Sequence, residues 1–363
     1  MKNGCHKLMK ILFVIHGLRS GGAEKVLIML ANYLVTIGYQ VSILIFTTEE
    51  PFYDIHSSVK LIKIEHIPDK KGLFPKLKFI FTRVNLLRKI FKNENPDIVI
   101  SFITMMNIYS IVAAKLARKK IIVSEHTNYT VDSKSISGFI RRLVYPFADF
   151  VVVLTNYDKE QYAFVKNVHV IKNPLVLSNN YTNCVRENIV LGVGTLIPLK
   201  GFDMLIKAFS KLEENAWKLV ILGEGPDREE LQNLIDELDL RDKVSLPGMT
   251  KDVEKYYRKA SIFVLSSRTE GFPGVLCEAI GYGCASIAFD CLTGPSDIIE
   301  HNINGILVDP ENVNKLSQEI QKLIDDPELR SSLSLHSQKI TSLLDIKTIS
   351  NEWIKLFDSI KES

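Results

Sequence analysis

The sequence predicts an α/β protein of two domains, each a doubly wound parallel sheet, that face each other across a cleft. Its 363 residues are enough for two separate hydrophobic cores. Short β-branched apolar runs alternate with segments of helical period along the whole chain, which is typical of βαβ units. Ligands bind beyond the carboxyl ends of the strands in such sheets, so the loops there are the candidate sites.

The first half alternates candidate strands with helical stretches such as Ala23–Ile37. Its predicted strands are Lys10–Ile15, Gln40–Phe46, Lys60–Ile64, Asp97–Ser101, Lys120–Ser124, Phe150–Leu154 and His169–Ile171. The pattern breaks near Asn173 and Pro174, and Leu177–Asn188 is polar like a linker. A second series of strands follows: Ile189–Val193, Trp217–Leu222, Val244–Leu246, Ile262–Leu265, Ala285–Phe289 and Gly305–Val308. We therefore predict Rossmann-like domains over residues 1–176 and 186–345, with a C-terminal helix 346–363 that packs back on the first domain.

The composition is that of an ordinary globular protein, with 46% hydrophobic and 24% charged residues. No apolar run approaches the roughly 18 residues that span a bilayer, which argues against an integral membrane protein. The apolar run Ile11–Ile15 is short and leads directly into His16, so it fits a buried strand better than a signal peptide. Five cysteines without a Cys-x-x-Cys pair indicate neither a disulfide framework nor a zinc site, and favour a reducing compartment.

The charge is distributed unevenly along the chain. Residues 1–185 contain 25 Lys and Arg against 13 Asp and Glu, whereas residues 186–363 contain 20 against 29. This asymmetry indicates an anionic partner for the first half, either a membrane surface or a nucleic acid, unless two solvated domains simply attract each other. No recognisable RNA- or DNA-binding module accompanies the charge, so we expect no nucleic acid.

A basic amphipathic helix is predicted over Lys70–Lys92, which holds eight Lys or Arg and no acid. Its apolar stripe could pack inside the first domain, or the helix could lie on anionic headgroups. Both can hold together, because lysines reach outward from a buried stripe. The stripe consists of Leu77, Phe81, Val84, Leu87, Ile90 and Phe91.

The motif Gly21-Gly22-Ala23-Glu24 lies between the first strand and the first helix. Open backbone N–H groups at a helix N-terminus suit a phosphate, although a plain strand-to-helix turn explains the glycines equally well. The motif is not G-x-G-x-x-G, which argues against a nicotinamide or flavin enzyme.

A second motif, Glu270-Gly-Phe-Pro-Gly-Val-Leu-Cys-Glu278, follows the strand Ile262–Leu265 and leads into a helix. The N–H groups of Gly274, Val275 and Leu276 at its first turn can bind a diphosphate. The flanking carboxylates can then accept hydrogen bonds from sugar hydroxyls on either side, as a nucleotide sugar would present them. Alternatively, Glu270 caps the helix and Glu278 is solvated.

Taken together, the motifs resemble glycosyltransferase family 4 over nearly the whole chain. They occur in the family's order and spacing: Gly21-Gly22-Ala23-Glu24, Lys200-Gly201, Gly223-Glu-Gly-Pro226, Glu270-x7-Glu278 and Asn302-Ile-Asn-Gly305. The stretch Asp290–Ile299 further resembles the bacterial branch that builds O-antigen, capsule and lipid-linked oligosaccharides. The resemblance implies the GT-B fold, a retaining mechanism and a sugar-nucleotide donor, without a metal or another cofactor.

The resemblance also implies roles for individual residues. Glu270 would contact the donor hexose and Glu278 the ribose. His126, after the predicted strand Lys120–Ser124, matches a histidine of the first domain that faces the reaction centre, although a lone histidine there is more often structural. The donor diphosphate would be held by Lys200 with the amides of Gly274, Val275 and Leu276, and the base by backbone near Met249, with uracil favoured by the branch. The second domain would bind the nucleotide sugar, and the first the acceptor.

One position departs from the family pattern. Relatives carry Gly-Arg-Leu where this chain has Gly194-Thr195-Leu196, so a phosphate-binding arginine is missing. Arg268 is the nearest basic residue in sequence that could replace it.

From these features we expect a cytoplasmic glycosyltransferase, peripheral on the inner face of the cell membrane. It would move a hexose or N-acetylhexosamine from a UDP-sugar to a growing lipid-linked saccharide. Two alternatives stay open: a basic membrane or nucleic-acid binding module with a decayed site, and a GT-B epimerase of nucleotide sugars.

Overall fold

The computed structural model describes residues 9–64, 73–133, 135–177, 185–213, 216–335 and 337–362. The chain divides into two compact units. Unit 1 comprises Met1–Pro174 and Asp345–Ser363, and unit 2 comprises Leu175–Leu344.

Unit 1 contains a sheet that has seven strands within the described residues, all parallel, in the order β3-β2-β1-β4-β5-β6-β7. The order reverses between β1 and β4. The strands are β1 Lys10–Val14, β2 Gln40–Ile45, β3 Lys60–Lys63, β4 Ile98–Phe102, β5 Lys120–Ser124, β6 Phe150–Val153 and β7 Val168–Val170. The helices are α1 Gly22–Thr36, α2 Leu73–Glu94, α3 Thr104–Ala117, α4 Tyr129–Asp132, α5 Ile136–Val144, α6 Asn156–Gln161 and the C-terminal α14 Ile346–Glu362, with a 3-10 turn at Tyr145–Phe147.

The core of unit 1 lies between the sheet and its helices. β4 is buried along its whole length, because a central parallel strand is covered on both faces. The helix α1 buries Leu27, Leu30 and Leu34 at helical spacing. α14 packs against α1, and the ring of Phe357 lies 6.1 Å from that of Tyr39, just beyond α1.

Unit 2 contains a parallel sheet that has six strands in the described part of the chain, in the order β10-β9-β8-β11-β12-β13. This order reverses between β8 and β11. The strands are β8 Glu187–Val193, β9 Lys218–Leu222, β10 Val244–Gly248, β11 Ala260–Leu265, β12 Ala285–Phe289 and β13 Ile306–Val308. The helices are α7 Phe202–Phe209, α8 Arg228–Glu237, α9 Val253–Lys259, α10 Gly274–Gly281, α11 Val313–Asp325, α12 Pro327–Leu335 and α13 Ser337–Leu343, with 3-10 turns at Pro198–Lys200 and Pro295–Asp297.

The predicted α/β class with two doubly wound sheets is confirmed. Each predicted strand overlaps an observed one, because fully buried parallel strands are short apolar runs that are easily read from sequence. The predicted basic helix is α2, and its stripe residues Val84, Leu87 and Phe91 are buried in the core of unit 1. Residues 70–72 of that segment, like Cys5 and Cys184, lie outside the described residues. Within the described residues, Cys277, Cys284 and Cys291 are buried and form no disulfide.

Candidate active site

The strongest candidate site lies at the carboxyl end of β11 in unit 2. The Glu270 carboxylate follows this strand and accepts hydrogen bonds at Oε1 from Lys200 Nζ at 2.6 Å and from the Ser267 hydroxyl at 2.6 Å. Thr293 Oγ1 donates to the backbone carbonyl of Glu270 at 2.6 Å and fixes the loop. Only 10% of the Glu270 side chain and 22% of the Lys200 side chain are exposed, so this ion pair is shielded but not sealed from solvent.

Lys200 reaches Glu270 because a tight turn brings it to β11. The turn Pro198–Lys200 ends at Gly201, whose φ of +62° is left-handed and favours glycine. A Cβ at Gly201 would overlap the backbone carbonyl of Ser266, so the two chain segments can touch only with glycine there. The Ser266 hydroxyl also donates to the Lys200 carbonyl at 3.0 Å. The Lys200-Gly201 motif thus places the ammonium group beside Glu270.

The Arg268 side chain is bound by two acidic residues and by the turn that carries Lys200. Its guanidinium donates to both carboxylate oxygens of Asp203, at 3.0 and 3.1 Å, and lies 3.4 Å from Glu311. It also donates to the Pro198 carbonyl, and its backbone N–H donates to Leu199 at 2.8 Å. The expectation that Arg268 supplies the missing cation is therefore wrong, because this side chain clamps the turn that carries Lys200.

The helix α10 begins beside Glu270 with Pro273 as its N-cap residue. Leu276 N–H donates to the Pro273 carbonyl at 3.0 Å, so the prediction that this amide is open is wrong: the first turn closes on itself. In the part of the chain that the structure describes, the N–H groups of Gly274 and Val275 meet no acceptor. A Cβ at Gly274 would meet nothing within 4 Å, so the approach to this helix end is open.

Glu278 lies one turn further along α10 and is half-buried. Burial, together with the nearby Glu278 carboxylate, raises the pKa of the Tyr257 hydroxyl well above its ordinary value. The Tyr257 ring stacks on Tyr282 with centroids 5.7 Å apart. Glu278 therefore lies near the Tyr257 hydroxyl and is not merely a solvated surface acid.

The loops that follow β8, β9 and β10 meet near the same edge of the sheet. A Cβ at Gly223 would overlap the carbonyl of Gly194, which explains why the predicted motif needs glycine there. A Cβ at Gly194 would lie 3.5 Å from Lys200 Cγ, so the backbone of Gly194 runs close to the lysine side chain, and the exposed Thr195 follows it directly. Met249 directly follows β10 and is 52% exposed.

His126 in unit 1 directly follows Glu125, at the carboxyl end of β5. Its ring stacks on Phe102 with centroids 5.0 Å apart, and Nε2 lies 3.0 Å from the Ser124 hydroxyl. Nδ1 is buried and has no hydrogen-bond partner among the described residues. Burial lowers the pKa of His126 to about 3, so the imidazole is neutral at neutral pH.

Sequence reasoning missed the neighbouring Glu125, which is 2% exposed. Its carboxylate accepts hydrogen bonds from Thr104 Oγ1 at 3.0 Å, Asn107 Nδ2 at 3.1 Å and the Tyr145 hydroxyl. Burial raises the pKa of Glu125, and the hydrogen bonds oppose that rise. An acid placed directly after a strand that is buried from Ile121 to Ser124 was the available signal for this network.

The first turn of α1 in unit 1 is less open than predicted. Gly21 is its N-cap residue, and a Cβ there would overlap the carboxylate of Glu24. Burial raises the pKa of Glu24, while a bond to its own backbone N–H opposes the rise. The prediction of unhindered N–H groups at Gly21 is therefore wrong, because a carboxylate of the chain itself lies over this helix end. The space around Gly22 is open.

No group of three or more potential metal-binding side chains occurs among the residues that the structure describes. Within the same residues, no helix combines the length and the hydropathy that crossing a bilayer requires.

Comparison with known proteins identifies the family. Residues 20–178 match Glycosyltransferase Family 4, and residues 179–339 match Glycosyl transferases group 1. A Campylobacter jejuni protein, named GalNAc-alpha-(1->4)-GalNAc-alpha-(1->3)-diNAcBac-PP-undecaprenol alpha-1,4-N-acetyl-D-galactosaminyltransferase, is 34% identical over 98% of this chain and 100% of its own length. The chain belongs to glycosyltransferase family 4. The amylovoran biosynthesis glycosyltransferase AmsD of Erwinia amylovora is a further relative of this family 4 enzyme, 30% identical over 90% of this chain and 93% of its own.

Solved structures share the fold of this family 4 enzyme. TarM of Staphylococcus aureus has a TM-score of 0.81 at 16% identity, covering 97% of this chain and 99% of its own. HepE of Anabaena, solved with UDP and glucose, has a TM-score of 0.79 at 19% identity, covering 97% of this chain and 100% of its own. The resemblance to the GT-B fold is thereby confirmed.

Proposed function

We propose that this family 4 enzyme is a retaining glycosyltransferase that moves a hexose or N-acetylhexosamine from a UDP-sugar to a growing lipid-linked saccharide. Such a step belongs to the synthesis of O-antigen, capsule or exopolysaccharide. The observation that carries the proposal is the partly exposed Lys200–Glu270 pair beside the start of α10, where the N–H groups of Gly274 and Val275 are open. A cation, a carboxylate and open backbone donors at one end of the sheet suit a sugar diphosphate.

In this proposal the diphosphate binds Lys200 Nζ and the N–H groups of Gly274 and Val275. The helix dipole and the ammonium charge both favour an anion at this position. Because Lys200 already contacts Glu270, binding of phosphate would share the lysine between two anions and leave Glu270 available to a donor hydroxyl. These protein groups would neutralise the phosphates, so neither a metal nor another cofactor is part of the proposal.

The remaining site residues follow the family resemblance. Glu278 would accept hydrogen bonds from the ribose hydroxyls, and backbone near Met249 would hold the base. Gly22, Gly21 and Thr195 would flank the donor phosphates, although Glu24 must move before an anion can reach Gly21. His126 would act as a catalytic residue, and its low pKa means that it would offer a neutral hydrogen-bonding group to the sugar.

Two comparisons support the substrate class. The Campylobacter relative is named for transfer to a saccharide on undecaprenyl diphosphate, and HepE was solved with UDP and glucose. We extend these properties to this chain as a UDP-sugar donor and a lipid-linked acceptor. The excess of basic residues before residue 186 is consistent with an enzyme that works beside an anionic membrane on the cytoplasmic face.

The test is a turnover assay on the purified enzyme with a panel of UDP-hexoses and UDP-N-acetylhexosamines. We expect release of UDP that depends on a polyprenyl-diphosphate-linked saccharide, together with incorporation of the sugar into that acceptor. Interconversion of donor sugars without an acceptor would instead identify an epimerase. Absence of both turnover and nucleotide-induced thermal stabilisation would identify a binding module.

A further inference from the structure

The helix α5 presents its apolar face to solvent. Its exposed side chains Ile136, Phe139 and Leu143 are 81%, 63% and 58% exposed, and Phe147 in the following turn is 59% exposed. The spacing of three and four residues places them along one face of the helix. Scattered surface hydrophobics are ordinary, but a continuous apolar stripe on a helix marks an interaction surface.

The opposite face of α5 explains why the stripe points outward. Arg141 is fully buried, donates to the Tyr129 carbonyl at 3.2 Å and lies over the Tyr129 ring at 4.1 Å. The charge of the buried Glu125 acts on the same guanidinium. Rotating α5 to bury its stripe would pull Arg141 out of this network, and leaving Glu125 buried without that charge is costly. The contacts of Arg141 therefore fix the orientation of α5 with its apolar stripe exposed.

In the described residues, the exposed charged side chains of α5 and of the helices α3 and α2 beyond it are basic. α3 packs against both α5 and α2. Among the described residues, the exposed side chains of α2, α3 and α5 include no Asp or Glu. They are apolar or basic, apart from Thr82 and Asn93. The basic ones are Lys78, Lys89, Lys92, Lys115 and Arg142, of which Lys115 is paired with Asp149 at 3.4 Å.

We propose that α5 inserts its stripe of Ile136, Phe139, Leu143 and Phe147 into the headgroup region of an anionic lipid membrane. An apolar helix face flanked by basic residues fits such a surface, because the side chains enter the acyl boundary while Lys and Arg contact lipid phosphates. This inference rests on the proposed function, because the lipid-linked acceptor of that reaction lies in the same membrane.

The helices α2 and α5 contribute different kinds of contact to this surface. α2 buries Val84, Leu87 and Phe91, so it contributes mainly charge; among its described side chains, Phe81 is an exposed apolar one, at 70%. α5 contributes the apolar contact. We therefore expect binding to need both anionic lipid and the α5 stripe, whereas a purely electrostatic surface would need only the lipid charge.

The first test measures binding to vesicles of phosphatidylglycerol and phosphatidylcholine in equal amounts. The triple variant Ile136→Ser, Phe139→Ser, Leu143→Ser should bind at least about 100-fold more weakly, since each inserted side chain contributes roughly tenfold. The control Val185→Ser with Leu335→Ser removes exposed apolar side chains of unit 2, 86% and 77% exposed, and should bind like the wild type. Equal binding of both variants would overturn the proposal.

The second test measures whether position 139 enters the acyl region of the bilayer, and it distinguishes lipid binding from self-association of the chain. Phe139→Trp should be quenched by lipids brominated in the acyl chains, and the control Leu335→Trp should not. A dimer in sedimentation that the triple variant dissociates, without quenching at position 139, would assign the stripe to self-association instead.

Activity on a short water-soluble acceptor distinguishes this inference from the proposed function. If the triple variant keeps wild-type turnover there and loses vesicle binding, the surface is assigned to the membrane. If wild-type enzyme binds vesicles through α5 but transfers no sugar, the proposed function fails and the surface stands.

Discussion

Each unit carries a polar cluster at the carboxyl end of one parallel strand, after β5 in unit 1 and after β11 in unit 2, but the two clusters differ in how their charges are compensated. In unit 1, Glu125 is buried among hydroxyl and amide donors, and His126 is kept neutral by burial. In unit 2, Glu270 is paired with Lys200, and both side chains keep some exposure. The first cluster is fixed by its own hydrogen bonds, whereas the second is charged and can exchange partners with a ligand.

The difference follows from desolvation. A charge that leaves water needs a partner or a set of hydrogen bonds, and a group that lacks both becomes neutral. Unit 1 supplies Glu125 with three side-chain donors, whereas Nδ1 of His126 has no hydrogen-bond partner in the described part of the unit. Unit 2 gives Glu270 a partly exposed ammonium partner and places the open amides of Gly274 and Val275 beside it. Binding of an anion is therefore expected in unit 2, and neutral hydrogen bonding in unit 1.

The largest expected effect comes from breaking the charged cluster. Glu270→Gln keeps the size of the side chain but removes the charge that pairs with Lys200. We expect kcat to fall by about 100-fold or more, which is the scale of losing one electrostatic contact in a shielded site. Steady-state kinetics with donor and acceptor measure the change.

The matched control is Glu187→Gln, which removes an exposed carboxylate paired with Lys259 at 2.6 Å in the same unit. Its kcat should stay at the wild-type value, because exposed pairs contribute little. Wild-type kcat in Glu270→Gln would remove Glu270 from the site.

The next effect concerns the neutral cluster and pH. The pKa of His126 is about 3 in the folded protein, below its ordinary value of 6.5. The unfolded chain therefore binds a proton that the folded chain excludes, and stability falls as pH drops below about 6.5. Between pH 7 and pH 5 this histidine should cost about 2 kcal/mol of unfolding free energy.

Denaturant unfolding of the wild type and of His126→Asn at both pH values isolates that contribution. The wild type should lose about 2 kcal/mol more than the variant on acidification. The opposing titration of Glu125, whose pKa is raised, is common to both proteins. His56→Asn removes an exposed imidazole of the same unit and should retain the wild-type loss. An identical pH dependence in His126→Asn would show that this ring is solvated in the folded state.

A smaller effect is expected from adding charge to the unit 2 cluster. Thr195 is exposed beside Gly194, where a Cβ would lie 3.5 Å from Lys200 Cγ. The guanidinium of Thr195→Arg should contribute charge-assisted hydrogen bonds to phosphate, tightening UDP by about 1–2 kcal/mol in calorimetry. Thr195→Gln, long but uncharged, is the control and should bind UDP like the wild type. Unchanged affinity in Thr195→Arg would place this position away from the phosphates, and weaker affinity would show that it displaces Lys200.

The sequence predicted the fold better than it predicted which polar groups are open. Buried strands and glycine-containing turns follow from the local sequence pattern, so both sheets could be anticipated, as could the need for glycine at position 223. Arg268 could not be placed, because its partners Asp203 and Glu311 are 65 and 43 positions away in the chain. The Glu24 carboxylate over Gly21 and the closed Leu276 amide are details of side-chain and helix-end geometry that composition and spacing do not determine.

The positive charge of the unit 2 cluster is predicted to be sufficient to hold the donor diphosphate without a metal ion. The chain has no Asp-x-Asp pair of the kind that binds a divalent ion with a nucleotide sugar. Lys200 and the open amides of Gly274 and Val275 are proposed to hold the diphosphate instead, with the field of α10 behind them. We therefore expect turnover in EDTA to equal turnover in Mg²⁺ or Mn²⁺, with the acceptor-dependent release of UDP as the measurement. As a control, Lys200→Gln should bind UDP more weakly with or without the chelator, because it removes the ammonium charge itself. Loss of wild-type turnover in EDTA, restored by either ion, would show that the cluster lacks the charge that the diphosphate needs.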